Sequence, residues 1–381
     1  MLYQIIITII LIALAINIVF NLRSLKKPDK KIKPIASPPL VSVLIPARNE
    51  EQNIKQCVES LLNQNYENYE IIVLDDNSSD NTGEIVAELA RKDNRLTLIK
   101  GEQLPPDWAG KPFACYQLAK KSKGDWLLFV DADTFSEPEM LNSTMQIALE
   151  SKPALLSGFP RQITRGFAQT VVIPIIYFIM LWVPLWWIKQ LSKPKPSLAL
   201  GQFLMFPRDK YWAIGGHSAV KSRIIEDVWL SYEITKQGGR HLTIDLTSVF
   251  SCNMYNDIGS MWEGFKKWMY SVSILSPLVL ILLLISAYIL FLSPFVFLWY
   301  ELFMTPSPVS WLYLLIFQVI LVIFMRIIVD NHFKASLVSS ILHPLGLAYV
   351  IASVIYTFIE QLMGKGVKWK DRCYSHKSNV K

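Results

Sequence analysis

The sequence has little cysteine and little charge. Four cysteines occur in 381 residues, Cys57, Cys115, Cys252 and Cys373, and no two have the short spacing of a metal-binding or redox pair. Neither a disulfide framework nor a zinc site is therefore predicted, and we expect the soluble part to lie in a reducing compartment. Charged residues make up 18% of the chain and hydrophobic residues 52%, with a mean hydropathy of +0.30. This composition excludes an ordinary soluble enzyme and predicts a membrane protein.

The first apolar stretch, residues 2–20, lacks two features of a secretory signal peptide. No basic region precedes it, and no small-residue cleavage site follows it. Basic residues come directly after it instead: Arg23, Lys26, Lys27, Lys30, Lys31 and Lys33. Because Lys and Arg are enriched on the cytoplasmic side of membrane spans, we predict a retained anchor over residues 1–22 with its N-terminus outside. Residues 23–39 form a basic, proline-containing linker to a cytoplasmic domain.

Three more apolar segments, residues 274–298, 311–329 and 337–362, predict C-terminal membrane segments within residues 271–362. Three full spans would leave the tail outside, yet the basic tail at residues 363–381 favours the cytoplasm. His343 and Pro344 interrupt the third segment, so a re-entrant or interfacial course is an alternative. The formal charge of +7 collects beside apolar segments, so we predict a multi-pass protein of the cell membrane with no nucleic-acid partner.

Residues 40–270 alternate between strand and helix patterns. Strands are predicted at residues 41–45, 71–74, 96–99, 126–130, 154–157 and 201–206, and helical stripes lie between most of them. Alternation of this kind predicts an α/β fold with a mostly parallel sheet and helices on both faces. The run at 126–130 is continuously apolar, as expected of a strand buried on both faces.

Polar loops follow three of these strands, and we expect them to meet at one edge of the sheet. The loops are residues 46–51, residues 75–80 and residues 131–133. Asp131 and Asp133 would repel each other unless a cation lay between them. Oxygen ligands without nearby Cys or His favour Mg²⁺ or Mn²⁺. The alternative is that the two carboxylates cap the following turn.

The three loops carry a family resemblance. The segments V-S-V-L-I-P-A-R-N-E-E, I-I-V-L-D-D-N-S-S-D and V-D-A-D resemble those of family 2 glycosyltransferases of the GT-A fold, over residues 41–268. The segment L-P-P-D-W-A-G-K, with Ala114, is similar to members that glycosylate polyisoprenoid lipids, such as the diaponeurosporenoate and hopanoid-associated glycosyltransferases. The resemblance implies a nucleotide-diphosphate sugar donor, which we expect to be UDP-linked, and a metal ion held by Asp133 with Asp131.

The resemblance also implies which residues bind the donor. Those in the three loops are Pro46, Ala47, Glu50, Asp75, Asp76 and Asp131. A carboxylate accepts hydrogen bonds from uracil N3–H or ribose hydroxyls, so the acidic members suit a nucleoside. The alternative for residues 75–80 is an Asx-rich turn, with Asp80 capping the next helix. Lys111 is placed to meet diphosphate oxygens, or is a solvated surface group.

Glu226 and Asp227 open a helical pattern, where acidic residues also suit the helix dipole. In the resembled family an E-D pair at this place supplies the general base, which implies Asp227 as the catalytic residue with Glu226 beside it. An acceptor hydroxyl is a poor nucleophile, so the chemistry needs such a base. His217 is the second candidate, as a base, as a diphosphate contact or as a packed side chain.

Two segments border the membrane. Residues 167–188 are apolar but contain Pro174, Pro184 and several Trp residues, and we predict a pair of interfacial helices where a lipid acceptor approaches. Residues 263–268 resemble only in part the Q-x-x-R-W box of processive polysaccharide synthases, because Gly264 and Lys267 replace glutamine and arginine. Trp268 is the substrate-contacting member of that box, or an interfacial Trp beside a span.

The sequence thus predicts a membrane-anchored enzyme that moves one sugar to a lipid acceptor at the cytoplasmic face, with inversion implied by the resemblance. A polysaccharide synthase is the rival of the same class. A membrane scaffold with an inactive transferase domain is a rival of another class, which the intact acidic motifs disfavour. A transporter is disfavoured because charged residues collect mostly outside the apolar segments.

Overall fold

The structure is a computed structural model that describes residues 2–31, 34–188, 198–272, 277–304, 309–369 and 372–374. The chain divides into two compact units. Of the described residues, 25–31, 34–163 and 198–254 form the sheet unit, and 2–24, 164–188, 255–272, 277–304, 309–369 and 372–374 form the helical unit.

The helices, in chain order, are α1 (Leu2–Ser24), α2 (Ile54–Leu62), α3 (Thr82–Ala90), α4 (Gly110–Lys121), α5 (Met140–Ser151), α6 (Phe167–Val172), α7 (Ile175–Met180), α8 (Leu185–Ile188), α9 (Arg208–Ala213), α10 (Glu226–Lys236), α11 (Ile258–Val272), α12 (Pro277–Ala287), α13 (Ser293–Phe303), α14 (Val309–His332), α15 (Leu337–Ile341) and α16 (His343–Leu362). The strands are β1 (Val41–Ala47), β2 (Tyr69–Asp75), β3 (Leu96–Lys100), β4 (Trp126–Val130), β5 (Thr134–Ser136), β6 (Leu155–Phe159), β7 (Arg161–Gln162), β8 (Phe203–Pro207), β9 (His241–Asp245), β10 (Phe250–Cys252), β11 (Val367–Trp369) and β12 (Arg372–Tyr374). A 3₁₀ turn covers Gly216–Val220, and a π-helical turn at Tyr288–Leu292 joins α12 to α13.

A seven-stranded sheet organises the described part of the sheet unit, in the order β3-β2-β1-β4-β8-β6-β9. Strands β3, β2, β1 and β4 are parallel neighbours, and β6 is parallel to β9. Strand β8 runs antiparallel to both β4 and β6. The predicted α/β fold with a mostly parallel sheet is confirmed, and the antiparallel position of β8 is a feature that the sequence did not predict.

The sheet has an apolar cluster on each face. One cluster packs α2, α3 and α5 against strand residues such as Val43 and Val73. The other packs α4, α9 and α10 against residues such as Leu44 and Phe129. Covering both faces explains why β1 and β4 read as continuous apolar runs rather than as alternating patterns.

The helical unit contains helices that are long and apolar enough to cross a membrane. Within the described residues five segments meet that description: Leu2–Ser24, Phe167–Trp187, Pro277–Phe303, Trp311–His332 and His343–Leu362. These helices indicate a membrane-associated protein and match the predicted N-terminal and C-terminal segments. The predicted interruption near Pro344 is present, because α15 ends at Ile341 and α16 begins at His343.

Two local expectations differ from the structure. Residues 167–188 form three short helices, α6 to α8, rather than a pair, since Pro174 and Pro184 each precede a new helix. The tail predicted over residues 363–381 begins with a two-stranded hairpin of β11 and β12. Short strands in a basic segment carry too weak a pattern for sequence reasoning to find them.

Candidate active site

The carboxyl ends of β2, β1 and β4 lie side by side, so the three polar loops meet at one edge of the sheet as predicted. Ala47 at the end of β1 is paired with Asp75 at the end of β2. The backbone N–H of Asp76 donates to the Ala47 carbonyl at 2.8 Å, which fixes the two loops to each other. Pro46 is half-buried and Ala47 is buried in the same strand end.

Two asparagines shape the loops after β1 and β2. Asn49 and Asn77 have φ values of 52° and 55°, in the left-handed region that asparagine tolerates better than most residues. The Asn49 Oδ1 atom accepts a hydrogen bond from the backbone N–H of Ser79 at 2.9 Å. Arg48 donates to the carbonyls of Asp76 and Asn77 at 2.6 and 3.0 Å. The first two loops are therefore one rigid surface.

The acidic residues of that surface have separate roles. Asp80 Oδ1 accepts from the backbone N–H of Thr82, the first residue of α3, at 3.0 Å, whereas the N-cap position itself is Asn81 and not Asp80 as predicted. Asp75 Oδ1 accepts from the Ser78 backbone N–H at 3.0 Å, which makes Asp75 part of the turn itself. Asp76 is buried, and Glu50 Oε2 accepts from Asn53 at 3.2 Å.

A compact charged cluster lies at the end of β4. Lys111 Nζ lies 2.6 Å from Asp131 Oδ1 and 3.0 Å from Glu226 Oε1. Asp227 Oδ2 accepts from the backbone N–H of Gly201 at 2.7 Å, and Asp227 Oδ1 accepts from its neighbour's N–H, that of Val228, at 2.8 Å. We call Lys111, Asp131, Glu226 and Asp227, with Gly201, the charged cluster.

Four elements bring the charged cluster together. Lys111 lies in the first turn of α4, and Glu226 and Asp227 open α10. Because β4 and β8 are antiparallel and Val130 pairs with Phe203, the chain before β8 runs beside the chain after β4. That pairing places Gly201 near Asp131, although the two residues are 70 positions apart in the sequence.

Charge and burial set the protonation of the cluster. Burial alone would lower the pKa of Lys111, but the carboxylates of Asp131 and Glu226 outweigh it and hold that pKa well above its ordinary value. Burial, and then the charge of Glu226, raise the pKa of Asp227 to about 6, against the opposing effect of Lys111. A carboxylate with such a pKa is a stronger base than an ordinary aspartate and is still ionised at neutral pH.

Part of the sheet unit is similar to a known family. Residues 42–207 match the Glycosyl transferase family 2. This stretch, which is less than half of the chain, is therefore similar to a family 2 glycosyltransferase domain. That match spans β1 to β8 and so includes the three loops, Lys111 and Gly201.

Two curated relatives share the same name. The 4,4'-diaponeurosporenoate glycosyltransferase of Staphylococcus haemolyticus (strain JCSC1435) is 33% identical over 220 residues, 55% of each chain. The protein of that name from Staphylococcus aureus (strain USA300) is 28% identical over 231 residues, 60% of each chain. The match therefore spans little more than half the length of these relatives.

The fold has a solved counterpart. A mannosyltransferase from Pyrobaculum calidifontis, solved in complex with GDP-Man and Mn²⁺, is similar with a TM-score of 0.55. The similarity covers 94% of this chain and 99% of that one, at 16% sequence identity. At that identity the likeness establishes the GT-A-like fold alone.

The end of β4 carries carboxylate oxygens that fit a divalent ion. Asp131 and Asp133 are half-buried and follow β4 directly. In the part of the chain that the structure describes, no group of three or more His, Cys, Asp or Glu side chains is arranged to hold a metal. Mg²⁺ commonly takes only one or two protein carboxylates and completes its shell with water and substrate phosphates, so these residues suffice.

His217 lies beneath the site rather than on its surface. Its side chain is 1% exposed, its Nδ1 atom is 2.8 Å from the Tyr211 hydroxyl, and its ring lies 4.8 Å from that of Phe129. Burial lowers the pKa of His217 to about 3, which keeps the imidazole neutral. This placement agrees with the packing alternative, and not with a solvent-facing base.

Trp268 belongs to α11 of the helical unit, where its ring packs edge-on to that of Phe265 with 6.4 Å between the ring centroids. Its role as a substrate contact stays a prediction.

Sequence reasoning missed Gly201 as a site residue. A Cβ atom there would lie 3.1 Å from Lys111 Nζ and 3.2 Å from Asp227 Oδ2. The only signal was a glycine just before an apolar strand, which is also the pattern of an ordinary turn.

Proposed function

We propose that the protein transfers a single sugar from a nucleotide-diphosphate sugar, UDP-linked, to a polyisoprenoid or carotenoid-like lipid at the cytoplasmic face of the cell membrane. The reaction would depend on Mg²⁺ or Mn²⁺ and invert the anomeric carbon. The observation that carries the proposal is the charged cluster: Lys111 binds both Asp131 and Glu226, and Glu226 is followed by Asp227, whose carboxylate has a raised pKa. The proposed base, Asp227, and the residues proposed to bind the diphosphate and its metal, Lys111 and Asp131, are then parts of one site.

Each residue of the site has a proposed role. Glu50, Asp75 and Asp76, with Pro46 and Ala47, border the nucleoside half of the donor, where carboxylates accept hydrogen bonds from N–H and hydroxyl groups.

Asp131 and Asp133 would hold the divalent ion, which neutralises diphosphate charge when bound. Lys111 adds a second positive charge for the diphosphate. Asp227 takes the proton from an acceptor hydroxyl, and the two backbone N–H groups that it accepts from keep its carboxylate in place.

The acceptor proposal rests on the relatives and on the membrane helices. The names of the first two relatives specify a diaponeurosporenoate, and the ending of that word denotes a carboxylate. An apolar chain gains about 0.8 kcal/mol per buried CH₂, so a long lipid would stay in the bilayer while its head group enters the site. A carboxylate acceptor is already ionised near pH 7 and would need Asp227 less than a hydroxyl acceptor would.

Lipid analysis tests the proposal directly. Lipids from cells that express the wild-type protein, the Asp133→Asn variant or no protein are compared by mass spectrometry. We expect a lipid that carries one added hexose only with the wild type, because the nearly isosteric Asn keeps the shape but removes a metal-ligating charge. A product bearing many sugars would instead identify a polysaccharide synthase, and identical lipids in all three samples would contradict the transferase proposal.

Donor hydrolysis by the purified protein separates an enzyme from a scaffold. We expect UDP-sugar hydrolysis that requires Mn²⁺ or Mg²⁺ and is lost in folded Asp133→Asn. Turnover close to wild type in that variant would remove Asp133 from the metal site.

A further inference from the structure

The ammonium group of Lys111 is bound to the Asp131 carboxylate, which is one of the two proposed metal ligands. Its Nζ atom lies 2.6 Å from Asp131 Oδ1, the distance of a strong charge-assisted hydrogen bond. A divalent ion ligated by the same carboxylate would lie close to this ammonium, and like charges at such a separation repel.

We propose that Lys111 competes with the divalent ion for Asp131, so that the site without donor binds the ion weakly and the ion enters together with the nucleotide diphosphate. This inference rests on the proposed function, because it presumes that Asp131 shares the metal site with Asp133. It assigns to Lys111 a control over metal binding in addition to its contact with the diphosphate.

The surroundings of Lys111 hold it in the competing position. The Glu226 side chain is 5% exposed, and its Oε1 atom lies 3.0 Å from Lys111 Nζ on the side away from solvent. Gly201 leaves the space that Nζ needs, since a Cβ there would approach it to 3.1 Å. A buried carboxylate is costly without a partner, so Glu226 stabilises the lysine in this place.

A diphosphate offers Lys111 a different anion. When the ammonium turns to the phosphate oxygens, Asp131 becomes available to the divalent ion, and the added positive charge is matched by the charge of the donor. Donor and ion then strengthen each other's binding by the same factor, as linkage requires. The ammonium can stay paired with Glu226 while it leaves Asp131, so the exchange needs a side-chain movement and no change of fold.

Mn²⁺ binding to the purified protein tests this competition without any turnover. Free Mn²⁺ is measured by electron paramagnetic resonance, with and without UDP, for the wild type and for Lys111→Met. We expect Lys111→Met to bind Mn²⁺ roughly tenfold more tightly than the wild type when UDP is absent, which is within the usual range of such couplings. We also expect UDP to raise Mn²⁺ affinity by a smaller factor in this variant.

Two further variants serve as controls. Lys111→Met/Glu226→Gln has the same net charge as the wild type and leaves no buried carboxylate unpaired, so it should show the same tightening even if the single variant folds poorly. Lys92→Met removes a lysine from an exposed pair with Glu88, and should bind Mn²⁺ like the wild type.

The two proposals fail in different ways. Unchanged or weaker Mn²⁺ affinity in the double variant without UDP would overturn the competition, while metal-dependent turnover of the wild type would leave the proposed function intact. Absence of Mn²⁺ binding by the wild type even with UDP, together with absence of turnover, would overturn both.

Discussion

Gly201 has little room for a side chain in the charged cluster. Three charged side chains approach the point where a Cβ would be: Lys111, Asp227 and Glu226, at 3.1, 3.2 and 3.5 Å. Its backbone N–H also holds the Asp227 carboxylate. The missing side chain and the N–H together determine where the base and the lysine lie.

Replacing Gly201 by Ala should therefore impair catalysis more than folding. The added methyl group would displace Lys111 or Asp227 by a few tenths of an ångström; a misplacement of about 1 Å can cost about 10²-fold in rate, so we expect a smaller loss here. We expect kcat/KM for sugar transfer to fall while the melting temperature stays close to that of the wild type. Wild-type kcat/KM in a folded variant would show that the cluster tolerates the displacement.

Asp227 should act through its charged form. With a hydroxyl acceptor, Asp227→Asn should lower kcat by roughly 10²–10⁴-fold with donor affinity little changed, as for a group that acts mainly in the transition state. Loss of donor affinity with kcat preserved would make Asp227 a binding residue instead.

The raised pKa of Asp227 predicts the pH dependence of that rate. Because the pKa is about 6 and only the ionised carboxylate accepts a proton, kcat should fall as pH drops below about 6. Lys111 opposes the shift, so its removal should move this fall to higher pH. The pH profile of single-turnover transfer measures both effects, and a profile flat from pH 5 to 8 would contradict the role of Asp227.

At the scale of elements, a buried ion pair within the membrane-type helix α14 binds the short helix α15. Arg326 and Asp330 lie one turn apart in α14, are both 0% exposed and are 3.0 Å apart. Ser339 and Ser340 of α15 bind them, at 2.5 Å to Arg326 and 2.7 Å to Asp330. Arg326 also donates to the carbonyl of Pro174 at 3.1 Å, beside the start of α7.

Removing one partner of this pair should destabilise the helical unit more than removing both. Arg326→Met leaves a buried carboxylate uncompensated, which costs about 3–5 kcal/mol, whereas Arg326→Met/Asp330→Leu leaves no unpaired charge. We expect the double variant to melt at a higher temperature than the single variant in detergent. The reverse order would mean that the charges have a role beyond packing α14 against α15.

The three tryptophans of residues 167–188, Trp182, Trp186 and Trp187, have different surroundings. Trp182 stacks on Phe291 at 4.5 Å, and Trp186 Nε1 donates to Asn17 Oδ1 at 3.0 Å, whereas Trp187 is 52% exposed. Only Trp187 is therefore in a position to meet a lipid without breaking internal contacts.

Trp187→Ser should reduce transfer to the lipid acceptor more than hydrolysis of the donor, with little change in stability. Trp182→Ser is the matched variant, and it should lower the melting temperature because it removes a stacked ring. Rates of the two activities, measured on each folded variant, distinguish the cases. Equal loss of both activities in Trp187→Ser would argue against a lipid contact at this residue.

At the scale of the whole molecule, the connectivity of the sheet limits the membrane topology. The chain leaves the sheet after β6, passes through α6, α7 and α8, and returns to the same sheet as β8. Residues 164–190 must therefore begin and end on one side of a membrane. A single crossing by the apolar segment Phe167–Trp187 is excluded, even though its length and hydropathy would permit one.

Cysteine labelling tests this topology. In a variant whose native cysteines are replaced, a thiol at Lys152 and a thiol at Arg240, both exposed, should react from the same, cytoplasmic side. A tag before α1 should be accessible from outside, because the basic linker that follows α1 favours the cytoplasm. Labelling of the two positions from opposite sides would contradict the sheet itself.

The amino-acid sequence determined the type and order of most elements. Mostly apolar runs followed by polar loops predicted β1, β2 and β4, and parallel strands necessarily place their carboxyl ends at one edge. For the same reason the loops of Glu50, Asp76 and Asp131 were correctly expected to meet. These features depend on residues close together in the chain, where side-chain periodicity and turn chemistry act directly.

Only the tertiary structure decided which distant segments pair. Strand β8 lies antiparallel between β4 and β6, which places Gly201 beside Asp131. Helices α4 and α10 pack so that Lys111 binds both Asp131 and Glu226. The burial of His217 and the contacts of the Arg326–Asp330 pair with Pro174 and α15 were decided in the same way. These interactions join residues that are far apart in the sequence or that lie in different packed elements. A local pattern in one segment therefore does not predict which other segment it will contact.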